Sequence, residues 1–484
     1  MATLFRLLNE RLDLLGAKRD LLDREVPDRL TWWHTLGSAT LTVFLVQVIT
    51  GATLATYYSA SPDHAYDSIR YLTDQVASGA LLRGIHHWGA SAMVVLIVAH
   101  IIRVFAVGAY KYPREINWLL GVGLFLVVMA FSFTGYLLPW DQKAYWATAV
   151  GTNIAGTTPV FGAALVALLR GGSELVAATL ARFYAFHVLW LPLALTVLVL
   201  FHLVTVVRQG IAARPKDLET GAPRSTKDPQ YPAYYRAAYA GSKRGGVRFW
   251  PDILGKDAIV SASTVLVIVL LAVLFGAPLE APADPTDTSY VPRPEWYFLP
   301  IYQLLKLVPG SLESLVAVGV PTVFVLALLG LPFFDQGSTR NLLHRPAALV
   351  TLGMVLGGAG FLIGAAGRAP PAAAEVGRPL SSVERAGRAL YQSQQCAGCH
   401  RVAGQGGEEG PDLTTVGLRH SVGWLHSFLE SPARFHATSR MPAYGPPALS
   451  HQEIEEVAQY LASLRGRGEV APQFYDTFPP PRRP

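Results

Sequence analysis

Four histidines in two strongly apolar stretches of the sequence are spaced as two pairs. His100 follows His86 at position i+14, and His202 follows His187 at position i+15. An α-helix has about 3.6 residues per turn, so each pair lies on one face of its helix, roughly 21 Å apart along the axis. Because imidazole in hydrocarbon is costly unless it has a function, this spacing predicts two non-covalent b-type haems, each held between two imidazoles. Satisfied core histidines or a proton relay are the alternative.

Four glycines repeat the same interval in two other apolar stretches. Gly51 follows Gly37 at i+14, and Gly135 follows Gly121 at i+14. A flat macrocycle between helices needs positions without a side chain, and glycine allows the closest backbone approach. We predict that these glycines contact the haems, with ordinary packing of small residues as the alternative.

Three arginines lie at the ends of these apolar stretches, namely Arg83, Arg103 and Arg114. Their guanidinium groups are candidates to pair with haem propionates. The simpler alternative is that they extend toward the membrane interface.

The motif CAGCH supplies a third set of haem ligands. Cys396 and Cys399 are spaced to hold a porphyrin by two thioethers, with His400 as the proximal ligand, which predicts one covalent c-type haem. Met441 is the only methionine after the motif and is the predicted sixth ligand, since a thioether raises the reduction potential. Four histidines compete with it: His420, His426, His436 and His451.

The tetrapeptide PEWY places Glu295 beside Trp296 and Tyr297. A carboxylate among aromatic residues near a membrane face can take a proton from a quinol hydroxyl and carry it toward water. Together with Tyr136 in TGYLLPW, the tetrapeptide predicts a quinol-oxidation pocket with Glu295, Tyr136 and Tyr297 as its catalytic residues. The plain alternative is an interfacial aromatic belt with a solvated glutamate.

Membrane helices must position these residues. The chain has 484 residues, 51% of them hydrophobic, and seven apolar runs are long enough to cross a bilayer. We predict an all-α polytopic bundle of seven transmembrane helices followed by a small all-α domain that closes with an amphipathic helix in LSHQEIEEVAQYLASL. A shorter apolar segment, 159–169, predicts a surface helix. The predicted spans are 33–57, 84–108, 117–138, 184–207, 257–276, 316–334 and 346–366.

The distribution of Lys and Arg predicts the orientation. The N-terminal segment and the loop between the fourth and fifth spans are the most basic regions, so we expect both on the cytoplasmic side of a bacterial cytoplasmic membrane. Everything after residue 367 then lies outside, where c-type haem is attached. The second and fourth spans run inward, which pairs His86 with His187 (the outer pair) and His100 with His202 (the inner pair).

Both cysteines of the chain belong to CAGCH. A disulfide framework and a zinc cluster are therefore excluded. An iron–sulfur cluster would need at least two further cysteines, so any iron–sulfur partner is another polypeptide.

The sequence resembles the cytochrome bc complex family. Residues 1–210 are similar to the photosynthetic-type cytochrome b through LVQVITG, RGIHHW, HIIRV, KYPREINW, TGYLLPWDQ, RFYAFH and RQGI, and the i+15 interval between His187 and His202 is that branch's spacing. Residues 211–366 combine a basic cytoplasmic loop with a region that resembles subunit IV through PEWYFLPIYQLLKLVP and HRPAA. A linker (367–383), a monohaem cytochrome c domain (384–467) and a Pro-rich tail (468–484) are expected to follow.

The resemblance implies that quinol is oxidised at the outer face, with one electron passing to a Rieske iron–sulfur protein and the other reducing quinone near the inner face. This process would move protons across the membrane. Carried over, Glu295 is the proton acceptor, while Asp20 and Arg208 match positions near the inner quinone site. Expected partners are the Rieske protein, the quinone pool, a second copy of the chain, and a soluble cytochrome c, a cupredoxin or a terminal oxidase. No nucleic-acid partner is expected.

Two features depart from the family pattern. Thr35 stands where the photosynthetic branch has a cysteine that tethers an extra inner-face haem; this excludes a covalent third haem in the membrane part but not a loosely held one. The subunits are also joined in one chain, so we expect the c domain to act as the electron acceptor that is a separate subunit in other members of the family.

The predicted function is that of a quinol:cytochrome c oxidoreductase subunit. A dihaem membrane anchor that conducts electrons for a dehydrogenase, without bifurcation, is the rival hypothesis.

Overall fold

The polypeptide is described by a computed structural model that covers residues 22–27, 30–172, 175–283, 293–368, 381–402, 405–407, 409–414, 416–435 and 439–464. Its described residues are mostly helical and fall into two compact units. The first takes in residues up to 139, 151–278 and 296–363, and the second takes in 140–150, 279–295 and the residues from 364 onward.

Seven described helices are long and apolar enough to cross a membrane, which confirms the predicted class of fold. Eighteen α-helices are found in the described part of the chain: α1 (Leu36–Ala55), α2 (Ala65–Asp74), α3 (Gly79–Ala106), α4 (Glu115–Tyr136), α5 (Gln142–Gly156), α6 (Gly162–Arg170), α7 (Ala177–Ala185), α8 (Leu191–Gln209), α9 (Pro215–Glu219), α10 (Tyr231–Ser242), α11 (Leu254–Phe275), α12 (Leu299–Lys306), α13 (Gly310–Phe334), α14 (Pro346–Arg368), α15 (Ser382–Ser393), α16 (Val422–Glu430), α17 (Pro432–Phe435) and α18 (His451–Ser463). Two short antiparallel ribbons pair β1 (Glu25–Val26) with β2 (Val247–Arg248), and β3 (Arg401–Val402) with β4 (Gln405–Gly406).

The fourth and fifth membrane helices begin earlier than the hydropathy pattern predicts. The fourth spans Ala177–Gln209 and the fifth Phe249–Phe275, instead of starting at 184 and 257. The residues added at their N-terminal ends include charged ones such as Arg182 and Asp252. A hydropathy pattern marks the apolar part of a helix, whereas the helix itself continues for as long as its backbone groups bond one another.

Helix α3 lies at the centre of the membrane part, where it packs against α1 and α11, while α4 packs against α8 and α13. The buried core between these helices is aliphatic and includes Val43, Met93, Val128, Leu195 and Ile268. The outward faces of the helices carry large exposed apolar side chains, as lipid-facing surfaces do.

An ionic network joins the loop after α3 to the segment after α13. Nζ of Lys111 lies 2.7 Å from Oδ1 of Asp335, and Nη1 of Arg345 lies 3.2 Å from Oδ2 of the same carboxylate. The Lys111 side chain is only 1% exposed. Burial raises the pKa of Asp335, but the hydrogen bonds from Lys111 and Tyr110 outweigh burial and hold that pKa below its ordinary value.

The C-terminal domain is a small helical unit in which α15 and α18 cross at Gly387. A Cβ at Gly387 would clash with the backbone of Glu456 and with Tyr460, so the crossing requires glycine. Ser381 and Ser450 open the two helices with capping boxes. The helix α18 confirms the predicted closing amphipathic helix, and α6 confirms the helix expected near 159–169.

Candidate haem and quinol sites

The structure brings the outer pair together. The ring centroids of His86, on α3, and His187 are 6.3 Å apart, with the ring planes at 74°. With a metal–nitrogen distance of about 2 Å and a ring radius of about 1.1 Å, imidazoles on opposite sides of one metal have centroids roughly 6 Å apart. The observed separation therefore fits one shared iron.

The structure also brings the inner pair close together, without a hydroxyl contact to either ring among the described residues. His100 lies within electrostatic range of His202. Nδ1 of His100 is buried without a hydrogen-bond partner among the described residues, and the His202 ring faces the backbone carbonyl of Asn117. Buried polar atoms are normally satisfied, so Nδ1 of His100 is an exception among the described residues.

The two glycines on α1 each leave room for one histidine ring. A Cβ at Gly51 would lie 3.1 Å from Cε1 of His86, and a Cβ at Gly37 would lie 3.4 Å from Cε1 of His100. The two glycines on α1 are therefore separated by the same interval as the two histidines on α3, and each glycine lies beside one histidine.

The two glycines on α4 repeat this arrangement against the other histidine helix. A Cβ at Gly135 would lie 2.5 Å from Cε1 of His187, and a Cβ at Gly121 would lie 3.7 Å from Cε1 of His202. Gly135 therefore has the least space to spare of the four positions. Side-chain-free positions beside every paired histidine fit the predicted haem contacts.

A π-helical turn explains why one histidine interval is longer than the other. Residues Phe186–Trp190, which include His187, form a π turn between α7 and α8. A π turn inserts an extra residue into an α-helix, so the i+15 interval on this helix covers the same number of turns as the i+14 interval on α3. Pro192 lacks the N–H that would bond the carbonyl of Val188, which favours the wider turn.

Two threonines that the sequence analysis missed contact the outer pair. Oγ1 of Thr50 lies 2.8 Å from Nδ1 of His86, and Oγ1 of Thr134 lies 3.2 Å from Nδ1 of His187. Each threonine directly precedes one of the paired glycines, Gly51 or Gly135. A threonine directly before a haem-contacting glycine is the sequence feature from which these two residues could have been predicted.

Of the three predicted propionate partners, two already bind backbone carbonyls. Arg83 donates to the carbonyls of Ala277 and Pro278 at 2.8 and 2.6 Å. Arg114 donates to the Tyr235 hydroxyl at 2.6 Å and to two carbonyls at the end of α8.

Arg103 differs from both of these residues. It makes no hydrogen bond to any residue that the structure describes, although it lies within electrostatic range of His100 and Arg114. A cation next to the inner pair, with no carboxylate bound to it in the described structure, fits an anionic group such as a propionate.

The predicted quinol residues are held in different ways. Oε1 of Glu295 accepts a hydrogen bond of 2.7 Å from Nζ of Lys143, near the start of α5. Tyr297 packs on the aliphatic core of the membrane part and against the ring of Phe298, with centroids 4.9 Å apart. Tyr136 is the last residue of α4.

The inner-face candidates are Arg208, Asp20 and Thr35. Arg208 is exposed in the last turn of α8, and Asp20 lies outside the described residues. Thr35 is buried, and its hydroxyl donates to the Trp32 carbonyl at 2.7 Å.

The CAGCH motif is arranged for a c-type haem. Cys396 and Cys399 are free thiols. Nδ1 of His400 lies 2.9 Å from the Pro411 carbonyl, which can only accept, so Nδ1 carries the hydrogen and Nε2 is left for a metal. A Cβ at Gly410 would lie 2.5 Å from Cε1 of His400, which again leaves side-chain-free space beside a predicted ligand.

Met441 packs against the same hydrophobic core as Cys396. Of its competitors, His420 stacks on Trp424 with centroids 3.6 Å apart, and burial lowers the pKa of His420 to about 3. His426 contacts the carbonyl of His451 at 3.3 Å, and His436 lies outside the described residues. These contacts favour Met441 as the sixth ligand.

This fold and these sites define a membrane cytochrome with a b-type core and a c-type domain in one chain. Protein-family models agree: "Cytochrome b/b6/petB" matches residues 21–210, "Cytochrome b(C-terminal)/b6/petD" matches 282–379 and "Cytochrome c" matches 384–465.

Comparison with individual relatives identifies the family of the chain more closely. The menaquinol:cytochrome c reductase cytochrome b subunit of Geobacillus thermodenitrificans is 45% identical over 217 residues, which cover 43% of this chain and 97% of that protein. Cytochrome b6 of Oltmannsiellopsis viridis is 42% identical over 212 residues, which cover 44% of this chain and 99% of that protein. A solved structure described as a hyperthermophilic respiratory complex III aligns with a TM-score of 0.63 and 28% identity over 76% of this chain and 92% of its own. The chain belongs to the cytochrome b/b6 family and joins subunit IV-type and cytochrome c domains to it, which confirms the resemblance.

Proposed function

We propose that this chain is the cytochrome b–c subunit of a quinol:cytochrome c oxidoreductase that oxidises quinol at the outer membrane face. The observation that carries the proposal is the carboxylate of Glu295, held by Lys143 in the subunit IV-type region of a chain that also contains two histidine pairs. A membrane anchor would need the histidine pairs but not this carboxylate. The name of one relative, a menaquinol:cytochrome c reductase cytochrome b subunit, supports the same class of reaction.

The geometry of the ligands supports the predicted cofactor sites. His86 with His187, and His100 with His202, would hold two b-type haems, with Arg103 beside a propionate of the inner one. Cys396, Cys399, His400 and Met441 would hold the c-type haem. When bound, these haems supply one-electron transfer.

Glu295 acts as the proton acceptor of quinol oxidation. A carboxylate that accepts a proton loses its charge, and with it the charge-assisted hydrogen bond to Lys143. Its side chain is then free to turn toward water and release the proton outside. Tyr136 and Tyr297 supply hydroxyl and ring surfaces that orient the quinol.

The two electrons of a quinol take different routes in this proposal. One goes to a separate Rieske protein and then to the c domain, and the other crosses the membrane to reduce quinone near Arg208 and Asp20. Protons are released outside and taken up inside, with the N-terminus cytoplasmic and the c domain outside. The chain acts as a homodimer and passes electrons to a soluble cytochrome c, a cupredoxin or a terminal oxidase. The domain boundaries predicted from the sequence belong to the same proposal.

Quinol:cytochrome c reductase activity of the purified complex tests this function, with Glu295→Gln as the variant. General acid–base catalysis contributes about 10²–10⁴-fold, so we expect turnover to fall by at least roughly 10²-fold while the haem spectra stay intact. Full turnover in this variant would instead favour the dihaem anchor without bifurcation.

A further inference from the structure

The hydroxyls of Thr50 and Thr134 have a defined hydrogen-bond direction. Thr50 Oγ1 donates to the Val46 carbonyl at 2.7 Å, one turn earlier in α1. Thr134 Oγ1 donates to the Ala130 carbonyl at 2.8 Å in α4. A hydroxyl has a single hydrogen, so neither oxygen has a hydrogen left to give to a histidine.

Each threonine oxygen therefore accepts from the histidine that it contacts. Nδ1 of His86 and Nδ1 of His187 must carry the hydrogen in these contacts of 2.8 and 3.2 Å. The lone pair of each ring is then on Nε2, the nitrogen available to a metal. The two hydroxyls thus select one tautomer of both outer histidines.

Among the described residues, the inner pair has no equivalent hydroxyl contact. Nδ1 of His100 is buried with no partner among the residues described, and His202 faces a backbone carbonyl, that of Asn117, as His187 faces that of Phe131. The residues before Gly37 and Gly121 are Leu36 and Leu120, which have no hydroxyl. The two haem levels therefore differ in what holds their histidines.

We propose that Thr50 and Thr134 are positioning residues that fix the tautomer of the outer histidines and lower the reduction potential of the b-type haem between them. The proposal rests on the haem ligation given under the proposed function. A hydrogen bond donated by Nδ1–H raises the basicity of the ligating nitrogen, and a more basic ligand stabilises the oxidised iron. Because no threonine hydroxyl contacts the inner pair in the described structure, the difference favours electron transfer from the outer to the inner level.

The test is a potentiometric titration of the purified complex with Thr50→Val, Thr134→Val and the double variant. Valine has nearly the same shape as threonine but no hydroxyl. The b-type signal that disappears in His187→Ala identifies the outer haem. We expect each valine to raise the reduction equilibrium constant of that haem by several-fold, and the double variant by about tenfold, or about 59 mV for one electron. The inner b-type and c-type potentials should not change.

Two controls separate this role from general damage. Thr50→Ser and Thr134→Ser keep the hydroxyl and should restore the original potential. Thr53→Val removes an exposed hydroxyl that bonds only its own helix in the described structure, and it should change no potential.

If the valine variants lose the outer b-type haem signal and the serine variants keep it, this result also supports the role of the hydroxyls. An unchanged outer potential in the double valine variant, or loss of the outer haem from serine and valine variants alike, would overturn the proposal. If the proposed haem ligation itself were wrong, His187→Ala would lose no b-type haem, and this result is distinguishable from the outcomes above.

Discussion

Nζ of Lys143 lies 2.7 Å from Oε1 of Glu295, and these side chains are 25% and 20% exposed. The pair joins the start of α5 to the PEWY segment, 152 residues later in the chain. An ion pair of low exposure holds the carboxylate more firmly than a surface pair would.

Lys143→Met should therefore slow quinol oxidation, because Glu295 loses the group that holds it in place. We expect a roughly tenfold fall in turnover, smaller than that of Glu295→Gln, while Lys143→Arg should keep most of the activity because it preserves the charge. Steady-state quinol:cytochrome c reductase assays measure this. Equal turnover in the methionine variant and the parent would show that the pair has no role in catalysis.

Gly135 and Gly121 form a matched pair for a steric prediction. A Cβ at Gly135 would be 2.5 Å from His187, whereas a Cβ at Gly121 would be 3.7 Å from His202, which is ordinary contact. Gly135→Ala should displace His187 and lower the content of the outer b-type haem, and Gly121→Ala should be tolerated better. Reduced-minus-oxidised spectra measure both. A greater loss in the Gly121 variant would contradict the geometry.

Asp335→Asn should destabilise the membrane part. It leaves Lys111 and Arg345 without their carboxylate in a site of low exposure, and breaking such a pair costs about 3 kcal/mol. The lowered pKa of Asp335 means that its contribution is complete above the ordinary carboxyl pKa and is lost only as pH falls through the lowered value. Thermal unfolding at neutral pH should show a lower midpoint in the variant. An unchanged unfolding midpoint would show that this ionic network does not stabilise the membrane part.

Met441→Ala should lower the reduction potential of the c-type haem, because thioether ligation raises that potential. His420→Ala is the control, since that ring packs on Trp424 and should leave the potential nearly unchanged. Redox titration of the c-type band distinguishes the two. If only the His420 variant changed the potential, His420 and not Met441 would be the ligand.

Residue types and intervals along single helices could be predicted from the sequence. The histidine and glycine intervals depend only on helix geometry, and the structure places each predicted glycine beside one predicted histidine. The partners of Arg83 could not be predicted, because they are backbone carbonyls in a distant part of the chain, at Ala277 and Pro278. The direction of the Thr50 hydrogen bonds and the pairing of Lys143 with Glu295 likewise depend on tertiary contacts that no local pattern encodes.

The most direct test of the central claim is redox-resolved haem spectroscopy of the purified complex, compared between the parent and His202→Ala. We predict two b-type signals and one c-type signal for each parent chain, and loss of only the inner b-type signal in the variant. Fewer than two b-type haems in the parent, or loss of both in the variant, would contradict ligation of two haems by histidine pairs at two depths.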